Sequence, residues 1–73
     1  MTLVLRDKYG TEVDKAGYDI EGGNIFYKEI KVGIFEQAHD SNLGTYYLYI
    51  MNNGEEFHDH YANEKDILKA CNL

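Results

Sequence analysis

Apolar residues along this chain recur with two spacings, and the switch between them separates a strand-forming body from a helical end. In Ile30-Lys31-Val32-Gly33-Ile34-Phe35 the apolar positions alternate, which predicts Ile30, Val32 and Ile34 on one face and Lys31, Gly33 and Phe35 on the other. Residues 46–51, Tyr-Tyr-Leu-Tyr-Ile-Met, suit a pleated surface and form the clearest strand. Asn52-Asn53-Gly54 is a strong hairpin signal and predicts a returning strand over residues 55–61. With Asn53-Gly54 as a two-residue turn, Ile50 faces Phe57, Leu48 faces Asp59 and Tyr46 faces Tyr61. The opposite face then pairs Met51 with Glu56, Tyr49 with His58 and Tyr47 with His60. A shift of one residue would exchange the two faces.

Upstream, Thr2-Leu3-Val4-Leu5-Arg6 reads as a strand entering a turn at Asp7-Lys8-Tyr9-Gly10, with Thr11-Glu12-Val13 as its returning mate. Tyr18-Asp19-Ile20 and Ile25-Phe26-Tyr27 flank Glu21-Gly22-Gly23-Asn24, read as a turn because glycine tolerates positive φ. Residues 37–44 are polar and predict the longest loop.

The period changes after Ala62. Asn63 is a candidate N-cap, and Asp66 three residues later gives a capping box with a shorter acid. Ala62 is placed to pack on Ile67 as a staple. Ile67, Leu68 and Cys71 form a narrow apolar stripe over a helix at 64–71, too short to persist without docking on the sheet. The class is therefore α+β: an antiparallel sheet of about five to seven short strands, open or partly closed into a barrel, carrying one C-terminal helix. At 73 residues the chain has room for a single thin-cored domain over 1–73.

Charge changes the functional picture more than the fold. The formal net charge is −6, and it is unevenly spread. Acids and bases nearly balance over residues 1–35. Between Lys31 and Lys65 there is no lysine or arginine, while Glu36, Asp40, Glu55, Glu56, Asp59 and Glu64 fall there with all three histidines. Direct nucleic-acid binding needs a basic footprint and is not expected; a basic partner is electrostatically favoured, and the same acids also serve solubility.

Catalysis has little to stand on. Cys71 is the one strong nucleophile, near a chain end, and reads as a small apolar residue on the helix. A single cysteine forms no internal disulfide, which suits a reducing compartment. There is no phosphate-cradling loop, and no cofactor is expected. The start of the chain has no basic region followed by an apolar run, so a cytoplasmic location, in a bacterial or phage-infected cell, is the expectation. His58-Asp59-His60 places two imidazoles on one strand face, with Glu56 beside them. A zinc site would need further ligands, such as His39, Asp40 or Cys71, so metal binding through His58 and His60 stands as a third reading.

Tyrosine supplies rigid contact area and is enriched at interfaces. Tyr47, Tyr49, His58 and His60, rimmed by Glu55 and Glu56, make the best candidate interaction face, with Glu36, Asp40 and Asp59 adding charge. The alternative is a self-associating accessory domain that uses the tyrosines as a homodimer face, or a strand simply buried on both sides. One arginine, no proline and many Asn, Lys, Ile and Tyr residues are a composition typical of a low-GC bacterium or its phage. Small acidic chains of this kind resemble phage- or mobile-element-encoded inhibitors that fill nucleic-acid-binding clefts, anti-CRISPR proteins among them. That resemblance, of composition and size, implies a DNA-mimic inhibitor of a basic nucleic-acid-handling protein.

Overall fold

The computed structural model describes residues 3–14 and 17–71; Thr2, expected to open the first strand, lies outside them. Five strands, β1 (Val4–Asp7), β2 (Gly22–Tyr27), β3 (Ile30–Asp40), β4 (Gly44–Met51) and β5 (Glu56–His58), are followed by helix α1 (Glu64–Cys71). The strands form one antiparallel sheet in the order β1-β2-β3-β4-β5, so each pairs with its neighbour in sequence. The sheet is open, which decides against the barrel.

Several connections are tighter than the polarity of the chain suggests. Residues 37–40, expected in a loop, extend β3. The Asp40 carboxylate makes the sharp reversal possible, because Oδ1 accepts the N–H groups of Asn42 (2.7 Å) and Leu43 (2.9 Å). Between β2 and β3, Lys28 and Glu29 form a two-residue turn with both φ values positive, at 51° and 68°. Thr11-Glu12-Val13 does not become a full strand. Glu12 makes a single bridge to Arg6, and the Val13 N–H donates to the Leu5 carbonyl at 2.8 Å, covering the outer edge of β1.

Gly22 and Gly23 are not a turn but the opening residues of β2, and neither has a positive φ. Glycine is required there by crowding. A Cβ on Gly23 would lie 2.1 Å from the Arg6 carbonyl oxygen, and one on Gly22 would lie 2.5 Å from that of Phe35.

A β-bulge resets the facing of β3. Ile25 pairs with Gly33 but Phe26 pairs with Lys31, which leaves Val32 as the extra residue. Val32 and Phe35, an odd number of residues apart, therefore enter the same core, while Ile34 takes the opposite face and Ile30 is exposed. This corrects the alternation expected for residues 30–35.

The core lies on one face of the sheet: Leu5, Ile25, Tyr27, Val32, Phe35, Tyr47, Tyr49 and Met51, closed by Ile67 and Ala70 of α1. Leu68 and Cys71 pack at its margin, and Ala70 joins the stripe that sequence spacing assigned to Ile67, Leu68 and Cys71. Asn63 caps the helix, with Oδ1 accepting the Lys65 N–H at 2.9 Å and its carbonyl accepting those of Asp66 and Ile67. Glu64 and Asp66 sit in the first turn and Lys69 in the last, each matching the helix dipole. No helix is long and apolar enough to cross a membrane.

Candidate interaction face

The register of the β4–β5 hairpin decides which side chains share a surface. The Met51 N–H donates to the Glu55 carbonyl (2.8 Å), the Gly54 N–H donates to Met51 (2.9 Å), and Gly54 has a φ of +92°. The loop is therefore Asn52-Asn53-Gly54, a turn ending in a left-handed glycine, and not the two-residue Asn53-Gly54 turn. The Glu55 N–H is held by Asn53 Oδ1 at 2.9 Å.

One extra loop residue exchanges the faces of the returning strand. Leu48 pairs with His58, Tyr49 with Phe57 and Ile50 with Glu56. The expected surface of Tyr47, Tyr49, His58 and His60 consequently does not form. Tyr47 is 0 % exposed and Tyr49 4 %, both beneath the helix side of the sheet, whereas Glu56 and His58 point the other way. Tyr47 and Tyr49 are core residues, unavailable as exposed anchors or as a dimer face.

Asp59 also turns inward. Its Oδ1 accepts the Tyr47 N–H and its own N–H donates to the Tyr47 carbonyl, both at 3.1 Å, extending the ladder past the end of β5. Burial and then the adjacent Asp59 carboxylate push the Tyr18 hydroxyl up to about 12. Burial raises Tyr49 and Tyr47 as well; at Tyr47 the Ile20 N–H donating to the phenol oxygen at 3.5 Å acts in the opposite direction. Burial also raises the Cys71 thiol, which disfavours the reactive thiolate.

The face opposite the core has a layout that the register makes explicit. One cross-strand row runs Arg6, Asn24, Ile34, Ile50, Glu56; the next holds Gly22, Glu36, Leu48 and His58; a third pairs Ala38 with Tyr46. Ile34, Tyr46, Leu48 and Ile50 are half-buried by one another, and Glu36 and Glu56 are exposed among them. The helix lies on the other side, so among the described residues no further layer covers this surface. At its margin the Arg6 guanidinium sits 5.6 Å from the centre of the Phe26 ring.

His58 is held in an aromatic stack. Its ring lies parallel to Tyr46 (3.7 Å between centroids, 8° between planes), with Tyr61 at 4.7 Å and His60 at 5.2 Å. Nδ1 accepts the His60 N–H at 3.2 Å, and Nε2 is buried. One nitrogen is thus engaged and the other shielded. Among the described residues no three His, Cys, Asp or Glu side chains are grouped to hold a metal ion.

Of the nine residues singled out in the sequence, Glu36, Glu56 and His58 share the open face. Asp40 lies at the far end of β3, where hydrogen bonds from Leu43 and Asn42 hold its carboxyl below the ordinary range. Glu55 is exposed at the hairpin, and His60 is exposed just beyond β5. Ile34, Tyr46, Leu48 and Ile50 were missed as surface residues. The double-sided apolar character of residues 46–51 was the signal, but parity alone could not tell which side was covered. No family model matches the chain, and no characterised protein or solved structure resembles it to a significant degree.

Proposed function

We propose that this protein is a non-enzymatic binding module that docks a basic partner, such as a nucleic-acid-handling protein, on the open face of its sheet. The observation that carries this reading is that face itself. Ile34, Tyr46, Leu48 and Ile50 form a continuous apolar strip with Glu36 and Glu56 set into it, in a stretch without lysine or arginine. A dry centre with charged neighbours suits protein recognition. Carboxylates held on a rigid sheet can take the place of phosphates, and the parallel Tyr46–His58 pair the place of stacked bases. This keeps the DNA-mimic inhibitor reading, of phage or mobile-element type, with different anchors from those expected.

The test is capture from the source cell and its phage-infected counterpart, comparing the native chain with Glu55→Lys/Glu56→Lys. The native chain should retain basic proteins that salt releases, and the variant should lose most of that capture. Equal retention and equal salt dependence in the variant would remove the electrostatic basis of the proposal.

A second reading is self-association through the same face. Arg6 and Glu56 stand at opposite ends of one cross-strand row, so two copies related by a two-fold axis would bring each arginine to a glutamate of the other. Sedimentation showing a monomer at high concentration eliminates it.

A further inference from the structure

We propose that the open face of the sheet receives an amphipathic helix of the basic partner, laid along β4 with its apolar stripe inward and lysine or arginine on both flanks. This inference rests on the binding-module reading and names the shape of what binds. A segment lying on the face of a sheet finds no backbone hydrogen bonds there, because the N–H and C=O groups of the strands are spent in the plane of the ladder. The occupant must therefore satisfy its own backbone, which a helix does within itself. The other face of this sheet is closed in the same way, by Ile67 and Ala70 of α1.

The strip has the dimensions and the charge of such a site. Tyr46, Leu48 and Ile50 follow one another on the open face of β4, over about 14 Å at the rise of a strand. That length takes about nine helical residues, enough to set down apolar side chains at i, i+4 and i+7. Ile34 pairs with Ile50 and Ala38 with Tyr46, so the apolar surface widens onto β3. Glu36 stands beside Leu48 on β3, and Glu56 beside Ile50 on β5. These acids are on strands two apart, about 10 Å across the sheet, close to the width of a helix. Both are exposed, and neither carboxylate is engaged by another described residue. A lysine or arginine on either flank of the helix would lay its methylene stem on the strip and carry its charge out to one of them. The stretch between Lys31 and Lys65 adds no cation that would repel it. At the Tyr46 end, the flank on β5 is the His58 ring, parallel to Tyr46 and with Nδ1 occupied by the His60 N–H, so flat aromatic surface continues the strip.

The experiment titrates the ¹⁵N-labelled chain with a leucine–lysine peptide of about 18 residues, its leucines at helical spacing, which is marginally helical alone and folds fully only when docked. A peptide of the same residues in an order that leaves no apolar stripe serves for comparison, and both are repeated on Glu36→Gln/Glu56→Gln. Both substitutions are at exposed positions, so the fold should persist, and the amide spectrum of the free variant verifies it. Saturable shifts at Glu36, Leu48, Ile50 and Glu56, with a gain of helical circular dichroism, support the site. Binding should weaken about tenfold for the reordered peptide, and about tenfold for the helical peptide on the variant. Equal affinity for the two peptides at these residues would overturn the helix while leaving the open-face reading standing. An unchanged affinity in the variant, shifts elsewhere, or no saturable shift would also overturn it. Shifts at the strip that grow with the concentration of the chain alone and exclude the peptide would give the face to a second copy, and overturn it too. The open-face reading is judged separately by the capture experiment: loss of capture in Glu55→Lys/Glu56→Lys, with failure of the helical peptide, removes the helix and keeps the face.

Discussion

Replacing Tyr47 separates a core role from a surface role in one measurement. The ring is fully buried, packed against Phe35 and Tyr18 with centroids 4.9 Å away in each case. Deleting a buried aromatic to alanine costs about 3–5 kcal/mol, from lost transfer energy and the cavity left behind. At about 0.05–0.15 kcal/mol per residue, 73 residues give a total stability of about 4–11 kcal/mol. Tyr47→Ala therefore removes a large fraction of the whole. With Tm falling about 4–8 °C per kcal/mol in a domain this small, the expected drop is at least about 12 °C, or outright unfolding. Tyr47→Phe isolates the hydroxyl. The bond it accepts from Ile20 is long, 3.5 Å, so its loss should cost about 0.5 kcal/mol and a few degrees of Tm. The assay is thermal and urea unfolding followed by circular dichroism, with Glu56→Lys as an exposed control expected to stay within about 0.5 kcal/mol of the native chain. If Tyr47→Ala melts within about 4 °C of the native chain, the ring is not in the core and the face assignment is wrong.

Two further outcomes follow from the same geometry. The folded state raises the Tyr18 phenol from 10.0 to about 12, favouring its neutral form; that contribution is intact below pH 10 and disappears as pH rises through about 12. Tyr18→Phe should flatten, though not abolish, the loss of stability across that window in urea titrations, since Tyr47 and Tyr49 are raised too; identical pH slopes in both proteins would contradict it. Lys28 and Glu29 occupy positive φ without glycine or asparagine, so Lys28→Asn/Glu29→Gly should relieve strain and add about 1 kcal/mol, raising Tm by about 4–8 °C. A lower Tm would mean that the turn is not strained.

What could be read from the sequence was whatever short-range chemistry determines. The helix at 64–71 was legible because its cap, its dipole-matched charges and its apolar spacing all lie within a few residues of one another. The strand at 46–51 and the reversal after it were legible for the same reason. What escaped was parity. Whether Asn52-Asn53-Gly54 closes as two residues or three depends on whether Met51 finds Glu55 or Glu56 across the ladder, and local propensity does not contain that choice. The difference of one residue moved His58 and Glu56 to the other face and put Asp59 against Tyr47. The bulge at Val32 and the in-strand Gly22-Gly23 are likewise set by a neighbouring strand, so their residues pointed to the wrong local structure.

The nearest-neighbour order of the strands governs how the domain assembles in time. From β2 to β5 each strand meets its partner across a short loop, so the entropy lost per step stays small, whereas β1 must close the long connection over residues 8–21. The ladder from Gly33 with Met51 to Asp40 with Gly44 is the longest, and its reversal is held locally by the Asp40 carboxylate, making this hairpin the natural nucleus. Growth then proceeds outward in both directions, with β1 and the short β5 joining late. A chain built this way folds quickly for an antiparallel sheet and spends little time with unpaired edges open to aggregation.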